Sequence, residues 1–158
     1  MLGIGEDRLS VYLNDHLMGS TTGVRIARDV ANRDASPVFD ALAQEIAEDR
    51  QTLLDLMDRF GAREDHVKVG LGWVAERAFQ LKFRGELRGY TPLSLLEEIE
   101  ALSLGVEGKL AMWAALRRTH AGDPRLGPID LDALIERASS QRARLERERM
   151  SAAEAALG

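Results

Sequence analysis

The sequence predicts an all-α fold: a four-helix bundle of two antiparallel hairpins joined by a long crossover that contains a shorter extra helix. Three observations predict it. Apolar residues recur at steps of three and four through most of the chain, helix-starting and helix-stopping residues fall in four separate clusters, and no stretch alternates apolar and polar residues as a strand would. Composition agrees, with 45% hydrophobic and 30% charged residues but only four prolines and 5% aromatics among 158 residues. A chain of this size with no compositional break is expected to form one domain, residues 1–158, with a substantial buried core.

The punctuation sets the elements in order. In NRDASP, residues 32–37, Ser36 can cap a helix and Pro37 can occupy its first turn. FGARED at 60–65 places Gly61 where a helix-terminating glycine belongs, and RGELRGYTP at 84–92 ends in the cap Thr91 and Pro92. HAGDPRLGPID at 120–130 offers Asp130 as the next cap. Helices are therefore expected over 7–33, 37–60, 66–83, 92–119 and 131–156. Short loops make the first two and the last two antiparallel pairs, and residues 61–91 are long enough to cross the bundle lengthwise.

The apolar rows define which faces meet. Phe39, Leu42, Ile46, Asp49, Leu53, Leu56 and Phe60 alternate steps of three and four, and only Asp49 breaks the seam. Residues 7–33 give Leu13, Leu17, Ser20, Val24, Ala27 and Ala31. Residues 92–119 give Leu95, Ile99, Leu102, Val106, Leu110 and Trp113, and residues 131–156 give Leu131, Leu134, Ala138, Gln141, Leu145, Glu148 and Ala152. Gly105 and Gly108 inside a helix cost about 0.8–1 kcal/mol each against alanine. They are expected to admit a closely packed neighbour, from the crossover or from a second copy.

Charge and cysteine content exclude several classes. A net charge of -5 argues against nucleic acid or anionic lipid as a partner of the whole molecule. The absence of cysteine removes disulfides, thiolate nucleophiles and every cysteine-based metal site. No stretch approaches the ~20 apolar residues of a membrane span, and MLGIGEDRLS lacks the basic start of a leader, so a cytoplasmic location is expected. No nucleophile elbow or phosphate-binding loop is present, and GLG at 70–72 falls inside a helical pattern.

YLNDHLMGSTTG followed by EIAEDRQTLLDLMDRFG resembles the first hairpin of small bacterial members of the ferritin-like superfamily, and the helix plan resembles that superfamily over nearly the whole chain. The resemblance implies a bundle whose core, in metal-binding members, holds two metal ions on a glutamate from one helix and Glu-x-x-His from the other. No Glu-x-x-His occurs here. With Gly61 setting the register, Ile46 stands at the glutamate position, Asp49 at the histidine position and Ser20 at the position of the first glutamate. The second half-site retains Glu107 with no histidine on the last helix.

Helix heights still bring polar residues together. Ser20 lies about 14 residues before the first hairpin turn and Asp49 about 15 after it, so at ~1.5 Å per residue they share a level, with His16 one turn away. Glu107 and Gln141 are similarly matched in the second hairpin. Two readings follow. His16, Ser20, Asp49, Glu107 and Gln141 form a hydrogen-bonded layer that fixes register, or His16, Glu45, Asp49 and Glu107 form a non-standard site for iron, manganese or zinc. A second feature is the basic crossover, where Lys68, Arg77, Lys82, Arg84 and Arg88 are either an anion patch or a counterweight to Glu97, Glu98 and Glu100. Trp73 and Trp113 are expected as core anchors.

The sequence leads to a non-enzymatic interaction or stress-associated protein, without cofactor, dimerising with a second copy. Its rivals are a metal-dependent redox protein and a carrier of a small anion or apolar ligand.

Overall fold

A computed structural model of the chain describes residues 4–65, 80 and 89–158. Four helices account for nearly all of them: α1 (Ile4–Arg33), α2 (Pro37–Arg59), α3 (Pro92–Thr119) and α4 (Leu131–Leu157), with one 3-10 turn at Pro124–Leu126. No strand occurs among the described residues. The helix expected over 66–83 lies outside them.

The predicted caps at Ser36, Thr91 and Asp130 and the predicted stop at Gly61 each have their physical cause in place. Ser36 Oγ accepts from the Val38 amide at 3.3 Å, with Pro37 in the first turn. Thr91 and Ser94 cap reciprocally, each side chain bonding the other's backbone N–H, and Asp130 accepts from the Ala133 amide at 2.9 Å. α2 stops where Gly61 turns left-handed at φ 66° and the Ala62 amide reaches back to the Met57 carbonyl at 2.9 Å. Asn14 on α1 then ties down the chain leaving α2: its Nδ2 donates to the Arg63 carbonyl at 3.0 Å and its Oδ1 accepts from the Asp65 amide at 2.8 Å.

The core divides into two apolar clusters. One joins Val24, Ala27 and Val30 of α1 to Phe39, Leu42 and Ile46 of α2, Ile99, Leu102 and Val106 of α3, and Ala138, Leu145 and Ala152 of α4. The other joins Leu13 and Leu17 to Leu53, Leu56, Met57, Met112, Trp113, Leu116, Leu131 and Leu134. The C-terminal half of α1 thus shares a cluster with the N-terminal halves of α2 and α3 and the C-terminal half of α4. Hence α1 and α4 run in one direction and α2 and α3 in the other. The end of α2 and the start of α3 lie at opposite ends of the bundle, as the long crossover requires. Trp113 is fully buried, as expected of an anchor.

Glu98 on α3 bonds Arg33 of α1 at 2.6 Å and Tyr90 at 3.1 Å, while Glu100 faces Arg149 of α4 at 3.7 Å. Part of the acid cluster on α3 is therefore offset by arginines of the bundle itself. No helix among the described residues is long and apolar enough to cross a membrane.

Candidate functional site

Between the two apolar clusters lies a charged layer centred on Asp49, which is 2% exposed. Its Oδ2 accepts from the Lys109 ammonium of α3 and, at 3.0 Å, from Gln141 Nε2 of α4; its Oδ1 accepts from Arg137 of α4. Gln141 is itself fully buried: its Oε1 takes a second Lys109 hydrogen at 2.6 Å, and its Nε2 also reaches Glu45 at 3.1 Å. Glu45 is held by Arg144, and Arg137 extends outward to Glu48 at 3.1 Å. The layer thus stitches α2 to α4 and draws α3 in through one lysine.

These partners differ from the expected ones. Ser20 does not bond Asp49; its hydroxyl donates to the Leu17 carbonyl of its own helix at 2.7 Å. His16 stacks edge-on against Tyr12 with ring centroids 4.6 Å apart. Glu107 is absent from the layer and pairs at the surface with Arg142 at 2.6 Å. Its place is taken by Lys109, two residues further along α3. Gln141 and Asp49 occupy the layer as expected.

The four residues weighed as metal ligands are therefore dispersed. His16 faces Tyr12, Glu45 and Asp49 are bonded by cations, and Glu107 is outside. Among the described residues no three His, Cys, Asp or Glu side chains group to hold a metal ion. An incoming cation at Asp49 would have to displace Lys109 and Arg137 from the oxygens they occupy. The basic set Lys68, Arg77, Lys82, Arg84 and Arg88 lies outside the described residues.

On the α1 and α3 side the layer opens into a cavity of about 220 Å³. Lys109 and Asp49 line its base, with Leu53, Leu102, Met112 and Trp113 among its apolar walls and His16 on the α1 side. Gly19, Gly23, Gly105 and Gly108 also line it, and a Cβ on any of the four would meet nothing within 4 Å among the described residues. None of the described helices packs closely on Gly105 and Gly108, and the crossover expected to supply such a neighbour lies outside the described residues. Trp113 is fully buried, and its indole N–H meets no acceptor among the described residues.

Burial sets the protonation of the layer. It pulls Lys109 below the ordinary lysine value, against the attraction of Asp49. It likewise pulls His16 below 6.5, with Asp15 opposing. Burial pushes Glu45 upward, but the hydrogen bonds from Arg144 and Gln141 outweigh it and hold this carboxyl below 4.5. The folded state therefore binds a proton at His16 and at Glu45 less readily than the unfolded chain, and stability falls as pH falls. The His16 contribution is complete above 6.5 and is lost down to its folded value. The Glu45 contribution is present above 4.5 and is lost as pH drops through its lower folded value. Calorimetric melting temperatures should decline in two stages, the first as pH falls below 6.5 and the second as it falls below 4.5, and His16→Gln should remove the first stage alone. A single decline unchanged by His16→Gln would contradict the assignment.

No protein-family model, curated protein or solved structure matches the chain.

Proposed function

We propose that this protein is a non-catalytic helical bundle of ferritin-like plan that has replaced the superfamily's metal layer with an ion-pair layer and binds a small, mainly apolar molecule beside it. One observation carries the reading: four glycines on facing helices leave a cavity of about 220 Å³ against apolar walls and a charged base. Helix-interior glycine is costly. Here the sites could accept larger side chains, so the space itself is the feature that glycine preserves. A cavity of ~150 Å³ lined by apolar residues holds benzene, which sets the ligand scale at about ten non-hydrogen atoms.

The ferritin-like plan is supported by the helix directions and by the position of Asp49 and Gln141 at mid-bundle. The metal-dependent alternative, with iron, manganese or zinc, is disfavoured because the candidate acids are committed to Lys109, Arg137, Arg144 and Arg142. A homodimer belongs to the same proposal, and Met150 and Leu157, exposed on α4, offer apolar surface for it.

Titration with 3-phenylpropan-1-ol should raise the melting temperature saturably, because a ligand that binds only the folded state stabilises it by mass action. Gly105→Leu, which fills the cavity, should abolish the rise. A rise that persists in Gly105→Leu would place binding elsewhere, and no rise with either this alcohol or the matching acid, 3-phenylpropionate, would overturn the reading. In parallel, protein purified without chelator should carry below about a tenth of an equivalent of transition metal.

A further inference from the structure

The hydrogen bonds left open among the buried side chains are all of one kind. The buried side-chain atoms without a partner are Trp113 Nε1 and Arg137 Nε, both donors, and no buried side-chain acceptor among the described residues is left over. Lys109 adds a third donor, since its ammonium has three hydrogens and Asp49 and Gln141 take two of them. Trp113 and Lys109 both line the cavity. A ligand that satisfies these two donors must bring an acceptor.

Charge narrows the class further. Of the groups around the layer that are not exposed, Arg50, Lys109, Arg137 and Arg144 are cations, and Glu45 and Asp49 are acids. Glu48, Glu107 and Asp15 stand at the exposed margin, where solvent screens them. Of the unexposed groups, Arg50, Lys109 and Asp49 line the cavity, two cations against one acid, which leaves its unexposed lining electropositive in a low-dielectric setting, where a complementary anion is bound most effectively. A carboxylate is an acceptor-only anion suited to two N–H donors that line one cavity, and charge-assisted hydrogen bonds of this type are about twice as strong as neutral ones.

We propose that the cavity selects a small apolar carboxylate, about one aromatic or branched aliphatic unit long, whose carboxylate docks on the Lys109 ammonium and the Trp113 indole N–H while its apolar end lies along Gly19, Gly23, Gly105 and Gly108. This rests on the binding reading above and specifies its ligand class. Lys109 keeps its bonds to Asp49 and Gln141, so the layer remains intact when the ligand is present.

The test uses the full chain with three probes of one shape: 3-phenylpropionate, its primary amide and 3-phenylpropan-1-ol. Calorimetric titration should give at least a tenfold tighter Kd for the acid than for either neutral probe. The chain has two tryptophans, so nitrogen-15 spectra contain two indole N–H signals, and Trp113→Phe identifies the one that the acid should shift. Trp113→Phe keeps an aromatic ring in place and removes the donor, and should cut the acid's advantage by about threefold to tenfold. Gly105→Leu should abolish binding of all three probes while the protein stays folded. Equal affinities for acid, amide and alcohol would overturn the carboxylate assignment and leave the cavity reading standing. No binding of any probe would overturn both.

Discussion

Asp49→Ala should cost about 3–5 kcal/mol of unfolding free energy, read as a lowered urea midpoint and a melting temperature depressed by roughly 6–20 °C. The magnitude comes from what is left behind. Lys109 has a side chain only 13% exposed, and without Asp49 its remaining partner is the neutral Gln141 oxygen. A buried ammonium stripped of its counter-ion bears the full desolvation cost, whereas Arg137, 30% exposed, can turn outward to Glu48. Asp49→Asn retains an acceptor for Lys109 and should lose less. Glu107→Ala is the matched control: its pair with Arg142 is 53% and 51% exposed, so the change should stay under about 1 kcal/mol. Equal losses at Asp49 and Glu107 would refute the distinction between the layer and the surface.

Asp49 also marks how much of this site the sequence disclosed. Periodicity located it because a carboxylate on a seam of Phe39, Leu42, Ile46, Leu53 and Leu56 has no apolar alternative explanation, and Gln141 stood out for the same reason on α4. The caps Ser36, Thr91 and Asp130 were legible because each acts on backbone groups a few residues away. Lys109 escaped because the row on α3 was traced through Leu110. The inward row is Ile99, Leu102, Val106, Lys109, Trp113 and Leu116, which keeps the alternating step and passes through a half-buried lysine. A lysine stem can lie along apolar surface while its head meets a partner, so its burial depends on what the opposite helix presents. Arg137 escaped for a related reason: a partly exposed arginine reaches inward only because Asp49 is there to receive it. Helix height alone favoured Glu107, but height does not fix the face, and two residues turn an α-helix by more than half a revolution. The cavity was hidden most deeply. A glycine in a helix signals missing volume, and the sequence does not say whether a neighbour or empty space takes that volume.

Replacing the layer as a unit separates what its charges contribute to stability from what they contribute to uniqueness. Asp49→Leu, Lys109→Met and Gln141→Leu combined should return stability to within about 1 kcal/mol of the native protein or exceed it, reversing the 3–5 kcal/mol lost in the single Asp49→Ala variant. The reason is that a half-removed polar layer leaves a charge unpaired, while a wholly removed one leaves apolar surface that α2, α3 and α4 can bury against one another. Arg137 and Arg144 would remain on the half-exposed edge, where Glu48 and Glu45 still serve them. The cost should appear elsewhere. In the native protein each seam carries a polar or small residue at one level, Ser20, Asp49, Lys109 and Gln141, and the bonds among the last three are satisfied in a single alignment of α2, α3 and α4. With all three apolar, displaced alignments bury nearly equal area, so nitrogen-15 spectra should broaden or show extra peaks even as the urea midpoint holds. The 3-phenylpropionate site should vanish with Lys109. A triple variant more than about 3 kcal/mol below the native protein would show that the ion pairs themselves supply net stability, and would end the view that this layer is kept for alignment and ligand recognition.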